Sequence, residues 1–352
     1  MKHVRFLLLF LFAVLLSGCY FMQAAQGEMS LLAHRKPIAK ILADPATTST
    51  LKSRLEYVQA ARDFASHELG LPDNRSYRSY VDVQRPYVLW NVFAAPEFSI
   101  DPKQWCFPVA GCVVYRGYFR ETAAKRYADK LRSKGFDVAV TGVPAYSTLG
   151  HFNDPVLSSM MHWSNAEVAA TLFHELAHQV VYVKDDSSFN EAFATVVASE
   201  GMKRWLLQHD NPAALDAWQT QQQRSVEFSA LLLATREKLR AVYASGQPAG
   251  QMRKQKQQVF DQLRESYLQL RQRWNDYDGY DAWINRPLNN ADFVAVDTYQ
   301  RCVPAFEHLL RSVNDNLPEF YAQVKSIAHD KDRQRHFCQL RWGATSLPSS
   351  PR

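Results

Sequence analysis

The stretch "FHELAHQ", residues 173–179, constrains the chain more than any other. Its two histidines stand four positions apart, and on a helix such positions lie about 40° from each other and one turn up. His174 and His178 are therefore expected to offer imidazole nitrogens to one tetrahedral metal ion. Glu175 is one step round, beside the ion and pointing at its open position. A hydrolase needs that arrangement: the metal acidifies water and a carboxylate takes the proton. "SNAE", Ser164 to Glu167, has the capping-box pattern that opens the helix carrying these residues.

A third ligand is expected from the downstream segment "VVYVKDDSSFNEAFATVVASEG". If the first helix ends near Val183 and the next begins near Ser188, the short link makes them an antiparallel pair. His178 and Glu191 then differ in axial level by only about 3 Å, and Glu191 reaches the metal. Glu200 faces the opposite side of the second helix and is excluded; Thr195 shares the side of Glu191. The competing role for Glu191 is to close a capping box with Ser188.

The N-terminus supplies the compartment. Lys2 and Arg5 precede "FLLLFLFAVLL", an apolar run too short for a stable bilayer span. It ends in "LSGC", Leu16 to Cys19, which resembles the bacterial lipobox, with Cys19 as the lipidated residue. Tyr20, rather than Asp, comes next; by resemblance to bacterial sorting rules this implies the outer membrane of a Gram-negative bacterium. Several acyl chains on one cysteine give stable anchoring. The mature protein is expected as a periplasmic domain tethered to the membrane. That compartment is oxidising, so the remaining cysteines are candidate disulfides. Cys106 and Cys112 flank "FPVAG", whose Pro and Gly can close a small loop, and Cys302 and Cys338 would then pair. Four cysteines permit three connectivities, and the sequence does not choose among them.

Patterning predicts an α+β fold: a small antiparallel or mixed sheet, then a mostly helical domain that carries the histidine pair, with a long helical hairpin. The expected units are the signal peptide (1–18), a tether with N-terminal helices (19–75), the sheet with the catalytic core (76–210), the hairpin (211–280) and C-terminal helices (281–352). "SGQPAG" separates the two hairpin helices, near 214–245 and 251–275, which are expected to project from the domain. The formal charge of +6 is mild for 352 residues, and acidic residues and glutamines interleave with the basic ones. Solvated helix faces are expected there, not a nucleic-acid partner.

"FNEAFA" is similar to the segment supplying the glutamate ligand in zinc aminopeptidases resembling aminopeptidase N, and thermolysin-like proteases use a related Asn-Glu pair. His174, Glu175, His178 and Glu191 thus look like a gluzincin set, implying Zn2+ and a peptide substrate. The separation from His178 to Glu191 is shorter here than in those two families. End to end, the chain resembles a bacterial family of predicted lipoprotein aminopeptidases, in "QAAQGEM", "FPVAGCVVYRGYF", "PAYSTLGHFNDP", "FHELAHQ", "FNEAFA" and "DTYQRCVPAF". The resemblance implies that "AYSTLG" (Ala145, Tyr146 and on to Gly150) is an edge strand pairing with substrate backbone. It also implies a donor to the oxyanion from a later segment, for which Tyr299 is the first choice and Tyr146 the second. An envelope endopeptidase and a non-catalytic binding module are the alternatives. The intact Glu175 weighs against the latter, because a structural site needs ligands but no base.

Overall fold

The structure is a computed structural model that describes residues 20–107, 111–145, 147–209, 211–294, 296 and 302–338. Cys19, Tyr146 and Tyr299 lie outside the described residues, as does the signal segment. The architecture is α+β: short strands concentrated before residue 158, then helices almost to the end.

The N-terminal helical stretch is interrupted where its prolines require it. Helix α1 covers 20–33, β1 is Lys36–Pro37, α2 is Ile38–Ala43 and α3 is Ser49–His67. Pro37 has no N–H for an internal helical bond and sits at the N-cap of α2. Among the described residues the strands of this region form three small sheets. β1 pairs antiparallel with β2 (Ser79–Val81), which pairs parallel with β8 (Val156–Leu157). The main sheet has order β6-β3-β7, all antiparallel, with β3 at Leu89–Pro96, β6 at Tyr115–Tyr118 and β7 at Phe136–Val143. β4 (Trp105–Phe107) and β5 (Gly111–Val113) make a hairpin across which Cys106 and Cys112 are disulfide-bonded. Helix α4 (Glu121–Arg132) covers one face of the main sheet, burying Ala124, Ala128 and Leu131 against Val92 and Val138.

The largest core unites α3 with α5 (Asn165–Ala177) and α6 (Ser187–Gln208). Phe173, Phe189 and Phe193 are fully buried there. A second core lies between α7 (Pro212–Ala244) and α8 (Ala249–Arg273), around Phe228, Leu239, Phe260 and Tyr267. The short helix α9 (Asp281–Ile284) adds Ile284 to it. The C-terminal helices α10 (Val303–Ser312), α11 (Leu317–His329) and α12 (Lys331–Phe337) close over the first core, and Cys302 is bonded to Cys338.

The helical hairpin does not project freely. Near the start of α8, Lys256 pairs with Asp137 at 2.5 Å and Arg253 with Glu97 at 2.5 Å. Asn290 fastens the same region, donating to the carbonyls of Pro96, Glu97 and Ser99 and accepting from Tyr243. Arg253 and Lys256, which periodicity places on a solvated face, thus have acidic partners on or beside the sheet. Those partners are distant in sequence, so no local pattern reveals them.

Candidate metal centre

Helix α5 begins at the Ser164 N-cap with both capping-box bonds made: Glu167 N–H donates to Ser164 Oγ at 3.2 Å, and Ser164 N–H donates to Glu167 at 2.7 Å. A cap of this kind contributes about 1 kcal/mol and fixes the register of the helix it opens. The helix ends earlier than the sequence suggests, at Ala177, with His178 as its C-cap. His178 still donates its backbone N–H to the His174 carbonyl at 3.3 Å, so the two imidazoles keep their helical relation. The link to α6 is therefore longer than expected, and specific side chains hold it. Asn190 accepts from Val183 N–H and donates to Val183 C=O, both at 2.7 Å. Asp186, not Ser188, is the N-cap of α6, accepting from Phe189 N–H at 3.0 Å. With capping done by Asp186, the Glu191 carboxylate is free to turn inward.

It meets the histidines. His174 Nε2 lies 3.1 Å from Glu191 Oε2 and 3.2 Å from His178 Nε2, and His178 Nε2 lies 3.6 Å from Glu191 Oε2. A carboxylate has only lone pairs to offer, and each Nε2 brings at most one N–H, so three such atoms stay together around shared protons or a cation. Burial pushes the Glu191 carboxyl up, but the hydrogen bond with His174, the close approach of His178 and the charges of both imidazoles outweigh it and hold its pKa at about 2. Burial likewise pushes His178 down, and the Glu191 bond with the charges of Glu191 and Glu175 carries it above its ordinary value. The cluster gathers two imidazole nitrogens and a carboxylate oxygen, a donor set that a metal ion can occupy.

The three atoms also satisfy a geometric test. Points with these separations lie on a circle of radius about 1.9 Å, just inside the usual metal–ligand distance for a small divalent ion. His174, His178 and Glu191 are the three-membered His/Cys/Asp/Glu cluster found among the described residues. Glu200 stands apart: Arg204 binds it at 2.8 Å and Lys203 at 3.3 Å. One departure from a fully built site is His178 Nδ1, buried with no hydrogen-bond partner among the described residues. Metal-binding imidazoles usually donate that N–H to an acceptor behind them.

The cluster opens on a pocket of about 690 Å³. One wall is the main sheet, with Leu89, Asn91 and Phe93 presenting one face of β3, joined by Tyr115 and Val143. The other wall is α5 and α6, including Glu175 and Thr195, and α7 reaches in with Trp218. Glu175 is held above its ordinary pKa first by burial, which His174 and His178 oppose. Two tyrosines that patterning did not single out share this space. Burial and then the charge of Glu191 raise the pKa values of both Tyr115 and Tyr182.

The described residues of this segment, Ala145 and 147–150, are not in a strand. β7 stops at Val143, and residues 147–154 fold into a compact turn about the buried Asp154 carboxylate. Ser147 Oγ donates to it at 2.9 Å, Thr148 N–H at 3.0 Å and Thr148 Oγ1 at 2.6 Å. Leu149, Gly150 and Asn153 have positive φ, which an extended strand excludes. Ala145, Ser147 and Thr148 nevertheless line the pocket, whereas Gly150 abuts the Gln179 side chain. The β4–β5 hairpin braces the far side: Cys112 N–H donates to Asp185 at 2.6 Å, in the link between α5 and α6. Gly111, at φ 75°, allows that approach, since a Cβ there would collide with the Asp185 carboxylate.

Residues 19–338 match the protein family described as "Putative aminopeptidase". The chain belongs to that family. No curated protein and no solved structure matches it. Membership in an aminopeptidase family and a His/His/Glu cluster beside a deep pocket together support a metal-dependent hydrolase. Among the described residues, no helix is long and apolar enough to cross a membrane.

Proposed function

We propose that the chain is a zinc-dependent aminopeptidase of the periplasm, anchored through Cys19, in which Glu175 is the general base. The observation that carries this reading is the convergence of two imidazole nitrogens and a carboxylate oxygen beside a second, half-buried carboxyl in one pocket. Two histidines and a glutamate are a donor set that suits zinc, whose bonds of about 2.0–2.2 Å to N and O exceed the circle radius of the three atoms. His174, His178 and Glu191 would hold it. When bound, the ion supplies Lewis-acid polarisation of a carbonyl and lowers the pKa of water.

The remaining roles belong to the chain. Glu175, its pKa raised by burial, takes a proton from the attacking water and returns it to the leaving amine. Tyr115 and Tyr182 are candidate hydroxyl donors to the carbonyl oxygen as charge develops there, with Tyr299 the candidate from sequence. β7 is at the edge of its sheet, and Val143 and Ala145 at its end line the pocket, so an extended substrate backbone can pair there. Phe93, Leu89, Leu149 and Trp218 offer an apolar bed for side chains. The test is incubation of the metal-loaded mature chain with a mixed peptide library, reading product ends by mass spectrometry. Loss of single N-terminal residues, abolished in Glu175→Gln with metal retained, is the expected result. Internal cuts would make it an endopeptidase, and absence of cleavage with full metal would make it a binding module.

A further inference from the structure

Helix α1 packs on the main sheet through one face only. Tyr20 stacks on Phe107 with ring centres 5.5 Å apart, and the Arg116 guanidinium lies 4.0 Å from its ring centre. Gln23 donates to the Gly117 carbonyl at 3.3 Å and accepts from Phe119 N–H at 3.2 Å, extending the edge of β6. Gly27 sits directly against the Phe119 ring, where a Cβ would collide, and Leu31 is buried.

The opposite face is exposed and uncharged. It carries Met22, Ala25, Gln26, Met29 and Ala33, with Phe21 at its margin, edge-on to Phe107. Phe21 is 47% exposed, Met22 60% and Met29 68%. Helices that rest one face on a core ordinarily carry charges on the other. Residues 20–33 contain a single charged side chain, Glu28; it lies two turns beyond Phe21 at the margin of the face, is half-buried, and is away from the Met22–Met29 centre. A cluster of large apolar side chains on a charge-free face marks a surface meant for an apolar partner.

We propose that this face of α1 rests in the headgroup region of the lipid bilayer. The proposal rests on the reading of Cys19 as the lipidated residue. A bilayer is favoured by the point at which the anchor joins the fold. Tyr20 is already pinned in its aromatic cage, so no length of free chain separates Cys19 from the folded body. One peptide unit spans about 3.8 Å, so acyl chains inserted at Cys19 hold Phe21 and Met22 within about 10 Å of the lipid. An interfacial helix buries an apolar face to about that depth. A domain on a long linker can keep such a face in water; one anchored at the residue next to Tyr20 holds it at the lipid surface.

Methionine oxidation tests this without altering the helix. The acylated mature chain is reconstituted in phosphatidylcholine vesicles and treated with dilute hydrogen peroxide. Met22 and Met29 are followed by peptide mass spectrometry, with Met252 of α8 as reference, against an unacylated Cys19→Ser mature chain in buffer. On vesicles, Met22 and Met29 should oxidise about fivefold more slowly than in the free chain, with Met252 unchanged. Equal rates in a chain that floats with the vesicles would overturn the docking and leave the anchor standing. Concentration-dependent protection in the unacylated chain would overturn it in favour of a second copy. Absence of acyl mass on Cys19 would instead remove the anchor, and the docking with it.

Discussion

His174 Nε2 and Glu191 Oε2 lie 3.1 Å apart although 17 positions separate them in the chain. One sits on the last turn of α5 and the other on the first turn of α6, so the link between the helices decides whether the metal site exists. That link is not a tight turn. It is held by Asn190, by the Asp186 cap and by the disulfide-closed hairpin leaning on Asp185.

The ligand assignment separates two glutamates of one helix. Glu191→Ala should lower zinc affinity by more than about a hundredfold, because two imidazoles alone hold the ion weakly. Glu200→Ala should retain metal, since that carboxylate serves Arg204 and Lys203. Metal content after dialysis against a weak chelator reads both. Metal loss in Glu200→Ala alone would discard the site as described.

Asn190→Ala tests the link. Two hydrogen bonds to Val183 disappear, at a cost of about 2 kcal/mol in stability. Because the same bonds fix the distance between His178 and Glu191, zinc affinity should fall as well. Urea midpoints and zinc titration should therefore move together. A variant that loses stability yet binds zinc as tightly as the parent would show that the link plays no part in shaping the site.

Tyr115→Phe probes a pocket hydroxyl that feels the charge of Glu191. If Tyr115 donates to the developing oxyanion, kcat should fall by about a hundredfold with KM little changed. Tyr182→Phe is the matched control, with Tyr299→Phe beside it. The variant with the large kcat loss identifies the donor. Three unchanged kcat values would mean the hydroxyl comes from elsewhere.

The metal-free protein should show a distinctive dependence of stability on pH. Glu191 has its pKa depressed from 4.5 to about 2, so its contribution is present above 4.5 and is lost as pH falls towards 2. His178 has its pKa raised above 6.5, so its contribution is present below 6.5 and is lost as pH rises through the raised value. The pair therefore stabilises the apo fold most between pH 4.5 and 6.5. Glu191→Gln should flatten that maximum. Urea midpoints that run parallel for parent and variant across the range would contradict the pairing.

Much of this molecule was legible in its residues. The HExxH spacing, the Ser164 capping box and the strand-then-helix texture are local features, set by helical rotation, cap chemistry and side-chain periodicity within a few positions. They predicted α5, its two imidazoles and the α+β class. The early end of α5 was not legible, because "HQVVYV" carries no stop signal and yields only when Asn190 captures Val183. "AYSTLG" reads as a strand by composition, yet Asp154 gathers Ser147 and Thr148 into a turn through bonds the pattern does not show. The pocket wall of β3, Tyr115 and Trp218 joins segments from three separate regions of the chain, and the hairpin lies against the sheet through ion pairs between distant residues. Periodicity says which face of an element is buried. Which elements share a burial is decided by long-range packing, where each contact depends on all the others being formed. The sequence by itself therefore determined the donors of this site, and the tertiary structure alone decided how they are brought to one point.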